Sequence, residues 1–138
     1  MSLSSSFILD TPRLSLVGAT PALLTAEIHD RPLLGTLLRA EVPPEWPPEY
    51  NDLTTMQYML DLIEDDSANL PWGYFYVLLK VQDDKPLHLI GGCGFKGMPD
   101  AFGSVEIGYS LLAHVHGCGY GTEVVAALVR HAFSFPGV

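Results

Sequence analysis

The chain has 138 residues, 48% of them hydrophobic, enough for one core and too few for two. No apolar run approaches the ~20 residues of a membrane span, and the opening Met-Ser-Leu-Ser-Ser-Ser lacks the basic and long apolar regions of a secretory signal. A formal net charge of −9 leaves no basic face for a phosphate backbone, so neither a membrane nor a nucleic acid is an expected partner.

Arg13-Leu-Ser-Leu-Val17 alternates and reads as a first strand. Thr20 then caps a helix with Pro21 at its first position, running through Leu23, Leu24 and Ile28. Pro32 restarts a second short helix with Leu33, Leu34, Leu37 and Leu38 on one face. Val42-Pro-Pro-Glu-Trp-Pro-Pro48 is a stiff loop, because its four prolines remove donors and fix φ. A third helix follows a cap at Asn51 or Asp52, with Leu53, Met56, Met59, Leu60 and Ile63 at helical spacing. Tyr74 to Val81 is a strand, Asp83-Asp-Lys-Pro86 a turn, and Leu87 to Phe95 the antiparallel partner. Val105 to Leu112 forms the next strand and Gly121 to Phe133 a helix. This order predicts a single α/β domain over residues 1–138, a mixed, mostly antiparallel sheet flanked by helices.

Charge is unevenly placed. No basic residue lies between Arg39 and Lys80, while Glu41, Glu45, Glu49, Asp52, Asp61, Glu64, Asp65 and Asp66 all do. The segment is either a solvated acidic face or the border of a site whose field attracts a cationic amine. Cys93 and Cys118 read as reduced thiols, which suits a cytoplasmic protein. Trp46 and Trp72, beside prolines, either wall a pocket or pin a loop to the core.

The densest chemical signal is His116-Gly117-Cys118-Gly119-Tyr120-Gly121, a glycine-rich turn between a strand and a helix. Such a turn leaves several N–H groups unpaired with the helix dipole behind them, which is an anion site. It is not a Walker loop, since no Lys-Ser/Thr pair follows, and it lacks the final two-residue gap of a dinucleotide fingerprint. His114 and His116 have no convincing third ligand, so no metal site is expected. Cys118 is read as a small loop residue rather than a nucleophile, because no His–Asp support is identifiable. Tyr109 and Tyr120 read as packing residues.

The spacing resembles the acyl-CoA pyrophosphate loop of the GNAT superfamily of N-acetyltransferases, Gln/Arg-x-x-Gly-x-Gly/Ala, with His116, Gly119 and Gly121 at its three defined positions. The run Tyr120-Gly-Thr-Glu-Val-Val-Ala-Ala-Leu-Val-Arg-His-Ala-Phe133 resembles the helix of that family's ribosomal-protein-acetylating (RimJ/RimL-like) branch. Val105-Glu-Ile-Gly-Tyr109 resembles the strand before it, and Leu9-Asp-Thr-Pro-Arg-Leu-Ser-Leu16 the opening strand. The likeness is strong from Ile90 to Phe133, and no motif matches Arg31 to Trp72. His at the Gln/Arg position and Cys118 in place of a basic residue are departures, which leave backbone amides to carry more of the diphosphate.

The resemblance implies an acetyl-CoA-dependent N-acetyltransferase that transfers an acetyl group to a primary amine, carried by a small molecule or a peptide, by direct attack on the thioester. Acetyl-CoA would lie beside the strand at Ser110, Leu111 and Leu112, its pyrophosphate on His116, Gly117, Cys118, Gly119, Tyr120, Gly121 and Thr122. Positive φ and close approach are expected at Gly119 and Gly121. Glu106 is the candidate general base, and an N–H near Ser110 or Leu111 is placed to polarise the carbonyl. The alternative reading is a non-catalytic acyl-CoA-binding or protein-interaction module. The family's fold continues beyond Val138 with a fifth strand and further elements, so the domain is expected to be incomplete at its C-terminus. An open strand edge at 105–112 and an exposed apolar face at Val124, Val125, Leu128 and Val129 would then favour a homodimer.

Overall fold

The computed structural model describes residues 7–49, 51–81 and 86–138, so the turn expected at Asp83–Pro86 lies largely outside the described residues. In chain order the elements are β1 (Ile8–Asp10), β2 (Leu14–Gly18), α1 (Pro21–His29), α2 (Arg31–Leu38), β3 (Ala40–Glu41), α3 (Leu53–Asp65), β4 (Tyr74–Leu79), β5 (Leu87–Phe95), β6 (Ile107–Leu111) and α4 (Tyr120–Phe133), with 3-10 turns at Ser67–Trp72 and Ala113–Val115.

The helices start where short polar side chains satisfy first-turn amides. Thr20 Oγ1 accepts from Leu23 N–H at 3.3 Å, Asp30 from Leu33 N–H at 3.2 Å, and Asp52, rather than Asn51, from Thr55 N–H at 2.8 Å. Where sequence suggested one opening strand, the chain makes a hairpin: Thr11 N–H donates to Leu14 C=O and Thr11 Oγ1 accepts from Leu14 N–H, both at 2.9 Å, so Thr11-Pro-Arg13 turns between β1 and β2. β6 is shorter than the expected 105–112, and α4 starts one residue earlier than expected.

The sheet runs β1-β2-β4-β5, antiparallel throughout, and β5 carries two further partners on its other side: β3, parallel at Leu87–His88, and β6, antiparallel at Gly91–Phe95. Side-chain alternation divides the interior into two layers. Val17, Tyr74, Tyr76, Leu78 and Leu89 meet α1, α2 and α3 on one face, while Leu14, Leu16, Phe75, Val77, Ile90 and Phe95 meet α4 on the other. A β-bulge between Val77 and Leu78 leaves Ile90 without a partner in β4. The extra residue re-phases β5, so that Ile90 and Cys93 face α4 while Gly92 lies beneath the ring of Tyr74 on the opposite face.

One expectation is overturned. Val124 and Leu128 are 0% exposed, packed against the sheet, Val125 is half-buried, and Val129 alone of the four is exposed. The helix crosses the sheet by the face that seemed unpartnered, because β2, β4 and β5 together present enough apolar surface to cover it.

Candidate functional site

Among the described strands β6 has one hydrogen-bonded neighbour, and the phase of that ladder decides which of its groups are available. Lys96 N–H donates to Glu106 C=O at 2.9 Å and Leu112 N–H to Ile90 C=O at 2.8 Å, with paired residues running between them without a slip. Antiparallel alternation therefore turns the main-chain groups of Gly108 and Ser110 toward β5, and those of Ile107, Tyr109 and Leu111 toward the other edge. No described strand pairs with that edge. Of the two candidate amides, Leu111's faces the open edge and Ser110's faces β5. Ser110 acts instead through its hydroxyl, which donates to Glu49 C=O at 2.7 Å and ties the proline-rich loop to β6.

Beyond Leu112 the chain makes its 3-10 turn and enters the glycine run. Gly117 (φ 80°) and Gly119 (φ 82°) are both left-handed, and Gly119 forms the N-cap of α4 with no described side chain capping the first turn. The leading N–H groups of a 14-residue helix thus lack a side-chain cap at an exposed turn, with no Cβ at either left-handed position. Gly121 departs from the expectation of positive φ, since it lies inside α4. Its lack of a side chain serves close approach, because a Cβ there would stand 2.9 Å from the Tyr109 ring. His116 folds back, its Nε2 2.8 Å from Leu111 C=O on the open edge. His114 faces Glu45 at 3.6 Å instead, so the two histidines serve different partners.

A basic side chain reaches this turn from a distant part of the sequence. Arg13 Nη1 donates to Cys118 C=O at 2.9 Å, its Nε to Glu123 Oε1 at 2.8 Å, and its guanidinium lies 4.5 Å above the Tyr120 ring. Glu123 also accepts from Arg13 N–H at 2.8 Å and from the Thr11 hydroxyl. Burial pushes the Glu123 carboxyl up, but these hydrogen bonds and the adjacent guanidinium outweigh it and hold it below the usual carboxylate range.

On the face toward α3, a cavity of about 260 Å³ opens between α3, β5 and β6, lined among others by Asn51, Tyr74, Gly92, Lys96, Gly108 and Ser110. The Tyr74 hydroxyl accepts from Asn51 Nδ2 and keeps its own proton to donate. Burial, followed by the charge of Glu27, pushes this phenol well above its ordinary value. Glu106 is not among the lining residues. Its carboxylate is exposed and paired with Lys96 Nζ at 3.1 Å, and it is Lys96 that lines the cavity. The eight acidic residues of the 41–66 segment are all exposed, with Asp52 and Asp66 used as caps. Trp46 and Trp72 are buried and pin their segments to the core, Trp46 through Nε1 bonds of 3.1 and 3.0 Å to the Glu27 carboxylate.

Arg13, Asn51, Tyr74 and Lys96 had no functional reading from sequence. For Arg13 a signal was present: its place in a stretch that resembles the family's opening strand.

Residues 22–138 match the model of the acetyltransferase (GNAT) domain, and the chain belongs to that family. It is 29% identical over 85 residues to an uncharacterized N-acetyltransferase p20 of Bacillus licheniformis, a match covering 62% of this chain and 46% of that protein. The chain thus spans about half the length of this curated relative. Its fold is shared with a Vibrio cholerae protein provisionally described as a ribosomal-protein-serine acetyltransferase (TM-score 0.54, 16% identity, covering 97% of this chain and 70% of that one). It is shared equally with RimL, the ribosomal L7/L12 alpha-N-protein acetyltransferase, in an apo crystal form (TM-score 0.54, 16% identity, 96% and 68% covered). No described helix is long and apolar enough to cross a membrane.

Proposed function

We propose that this chain binds acetyl-CoA along the open edge of β6 with its diphosphate on the 116–122 turn, and transfers the acetyl group to a primary amine that reaches the thioester from the cavity beside α3. The observation that carries the reading is the continuity of three features: an unpaired strand edge, a turn with two left-handed glycines, and a helix start without a side-chain cap. Amide groups of a pantetheine arm suit the edge groups of Ile107, Tyr109 and Leu111, and a diphosphate suits the helix terminus.

Transfer joins the amine nitrogen to the acyl carbon, breaks the carbon–sulfur bond, and moves the amine's proton to a base while the thiolate leaves with CoA. In this reading the Leu111 N–H, which faces the open edge, polarises the thioester carbonyl, and the protonated Tyr74 hydroxyl is a second donor on the cavity wall. Glu106 remains the base in this reading, acting after its pairing with Lys96 is exchanged for the amine or through a water at the cavity mouth. That pairing is also what favours the second reading, an acyl-CoA-binding module without transfer. An acidic border at Glu49 and Asp52 suits a cationic acceptor, as a peptide N-terminus or a small amine would be. Calorimetry with acetyl-CoA followed by a thiol-release assay over an amine panel tests the proposal. Binding with turnover supports the transferase, binding without turnover on any amine the module, and no binding overturns both.

A further inference from the structure

The 116–121 turn carries no arginine or lysine, yet one guanidinium is built into its underside. Arg13 arrives from the β1–β2 hairpin, 105 residues away in sequence, and bonds the carbonyl of Cys118 at 2.9 Å. A trans peptide is planar, with its C=O and N–H pointing in opposite directions. Fixing the Cys118 carbonyl on Arg13 therefore fixes the Gly119 N–H facing the other way. Gly119 is free to rotate about φ in a way no other residue is, which makes an external restraint on its amide effective. The same bond is charge-assisted, and a hydrogen bond on a carbonyl polarises the N–H of the same peptide unit.

Resting on the reading that this turn holds the diphosphate of acetyl-CoA, we propose that Arg13 is a positioning residue for that anion. It acts through the Cys118–Gly119 peptide and is itself held by Glu123. The guanidinium is committed on three sides: Nε to Glu123, Nη1 to Cys118, and its face to Tyr120. Glu123 in turn is locked by Thr11 and by the Arg13 N–H, so hairpin and helix start form one hydrogen-bonded unit. A compact ammonium cannot reproduce this fork, because it has no planar pair of donors. The arrangement supplies what His116 and Cys118 do not: a positive charge coupled to the diphosphate site without a direct side-chain ligand.

The test is calorimetry of the chain with two probes, CoA and pantetheine, for wild type, Arg13→Gln, Arg13→Lys and Glu123→Gln, each checked for folding by thermal melting. The expected result is CoA binding weakened about tenfold in all three variants, with pantetheine binding unchanged because it carries no diphosphate. Glu123→Gln separates this role from simple attraction by a nearby cation: freeing the arginine's charge would strengthen CoA binding if charge alone acted, and weakens it if Arg13 must be held. CoA binding unchanged in a folded Arg13→Gln chain, strengthened in Glu123→Gln, or lost equally for both probes overturns the inference while leaving the acetyl-CoA reading standing. Failure of the wild type to bind CoA overturns that reading and the inference together. Should Arg13→Gln not fold, Arg13→Lys and Glu123→Gln carry the same decision.

Discussion

Gly121 lies against the ring of Tyr109, so close that a Cβ would stand 2.9 Å from both the Tyr109 Cε2 and its hydroxyl oxygen. The first turn of α4 and the open-edge strand are thereby held at contact distance, the amides proposed to hold the diphosphate on one and the edge proposed to hold the pantetheine arm on the other.

Replacing Gly121 by Val must therefore push Tyr109 off the turn or lift the helix start away from β6. CoA affinity is expected to fall by about a hundredfold or more, a loss of roughly 3 kcal/mol of binding energy. His116→Ala, which removes only the Nε2 contact with Leu111 C=O, is expected to cost less than about tenfold. Calorimetry on both variants checks this, and the reverse ranking would show that the anion is held by the imidazole.

Glu27 gives a pH-dependent prediction for stability. Its side chain is 4% exposed, and burial raises its folded-state pKa above 4.5, against opposing hydrogen bonds from Trp46 and the charge of Arg31. A raised folded value means that the native chain holds the proton more tightly than the unfolded one. Its contribution to stability is fully present below the ordinary carboxylate value and is lost as pH rises through the folded value. Glu27→Gln keeps an acceptor for Trp46 Nε1 and removes the titration. Its melting temperature relative to wild type is expected to rise as pH increases from below the ordinary carboxylate value to neutrality, and a difference that falls over that range would contradict the assignment.

Trp46→Phe keeps the ring and deletes the Nε1 donor from a buried carboxylate. The expected cost is about 1–3 kcal/mol in urea unfolding. It should be largely rescued by Glu27→Gln in the same chain, since the neutral amide has less need of the donor; additive losses would place the effect in packing alone.

Glu106→Gln is expected to lower turnover by about a hundredfold while CoA affinity holds, because a general base acts on the amine. The thiol-release rate across pH reads it. An unchanged rate would assign proton removal to water or to another group at the cavity, and would leave Glu106 as the partner of Lys96.

The family and the turn were legible because both are written in contiguous residues: alternation marks the strands, glycine spacing marks the turn, and helical periodicity marks α4. What was not legible depends on residues brought together across the chain. Arg13 looks like an ordinary strand-end residue until the hairpin at Thr11-Pro-Arg13 places it beneath Cys118. Glu27 looks like the polar side of α1 until Trp46, carried on the proline-rich loop, covers it. The phase of the β5–β6 ladder assigns Leu111 rather than Ser110 to the open edge, and phase is a property of the pairing that neither strand encodes alone. Val124 and Leu128 seemed exposed only because the breadth of the β2–β4–β5 face under α4 is not visible in the helix sequence.

The most direct test of where acetyl-CoA sits is amide hydrogen exchange of the chain with and without saturating acetyl-CoA, resolved to peptides. Slowed exchange confined to Ile107–Leu111 and to the 117–122 turn is the predicted result, because those segments carry the unpaired edge groups and the leading amides of α4. Protection centred elsewhere, or acetyl-CoA binding that leaves both segments exchanging as in the free chain, would contradict the account.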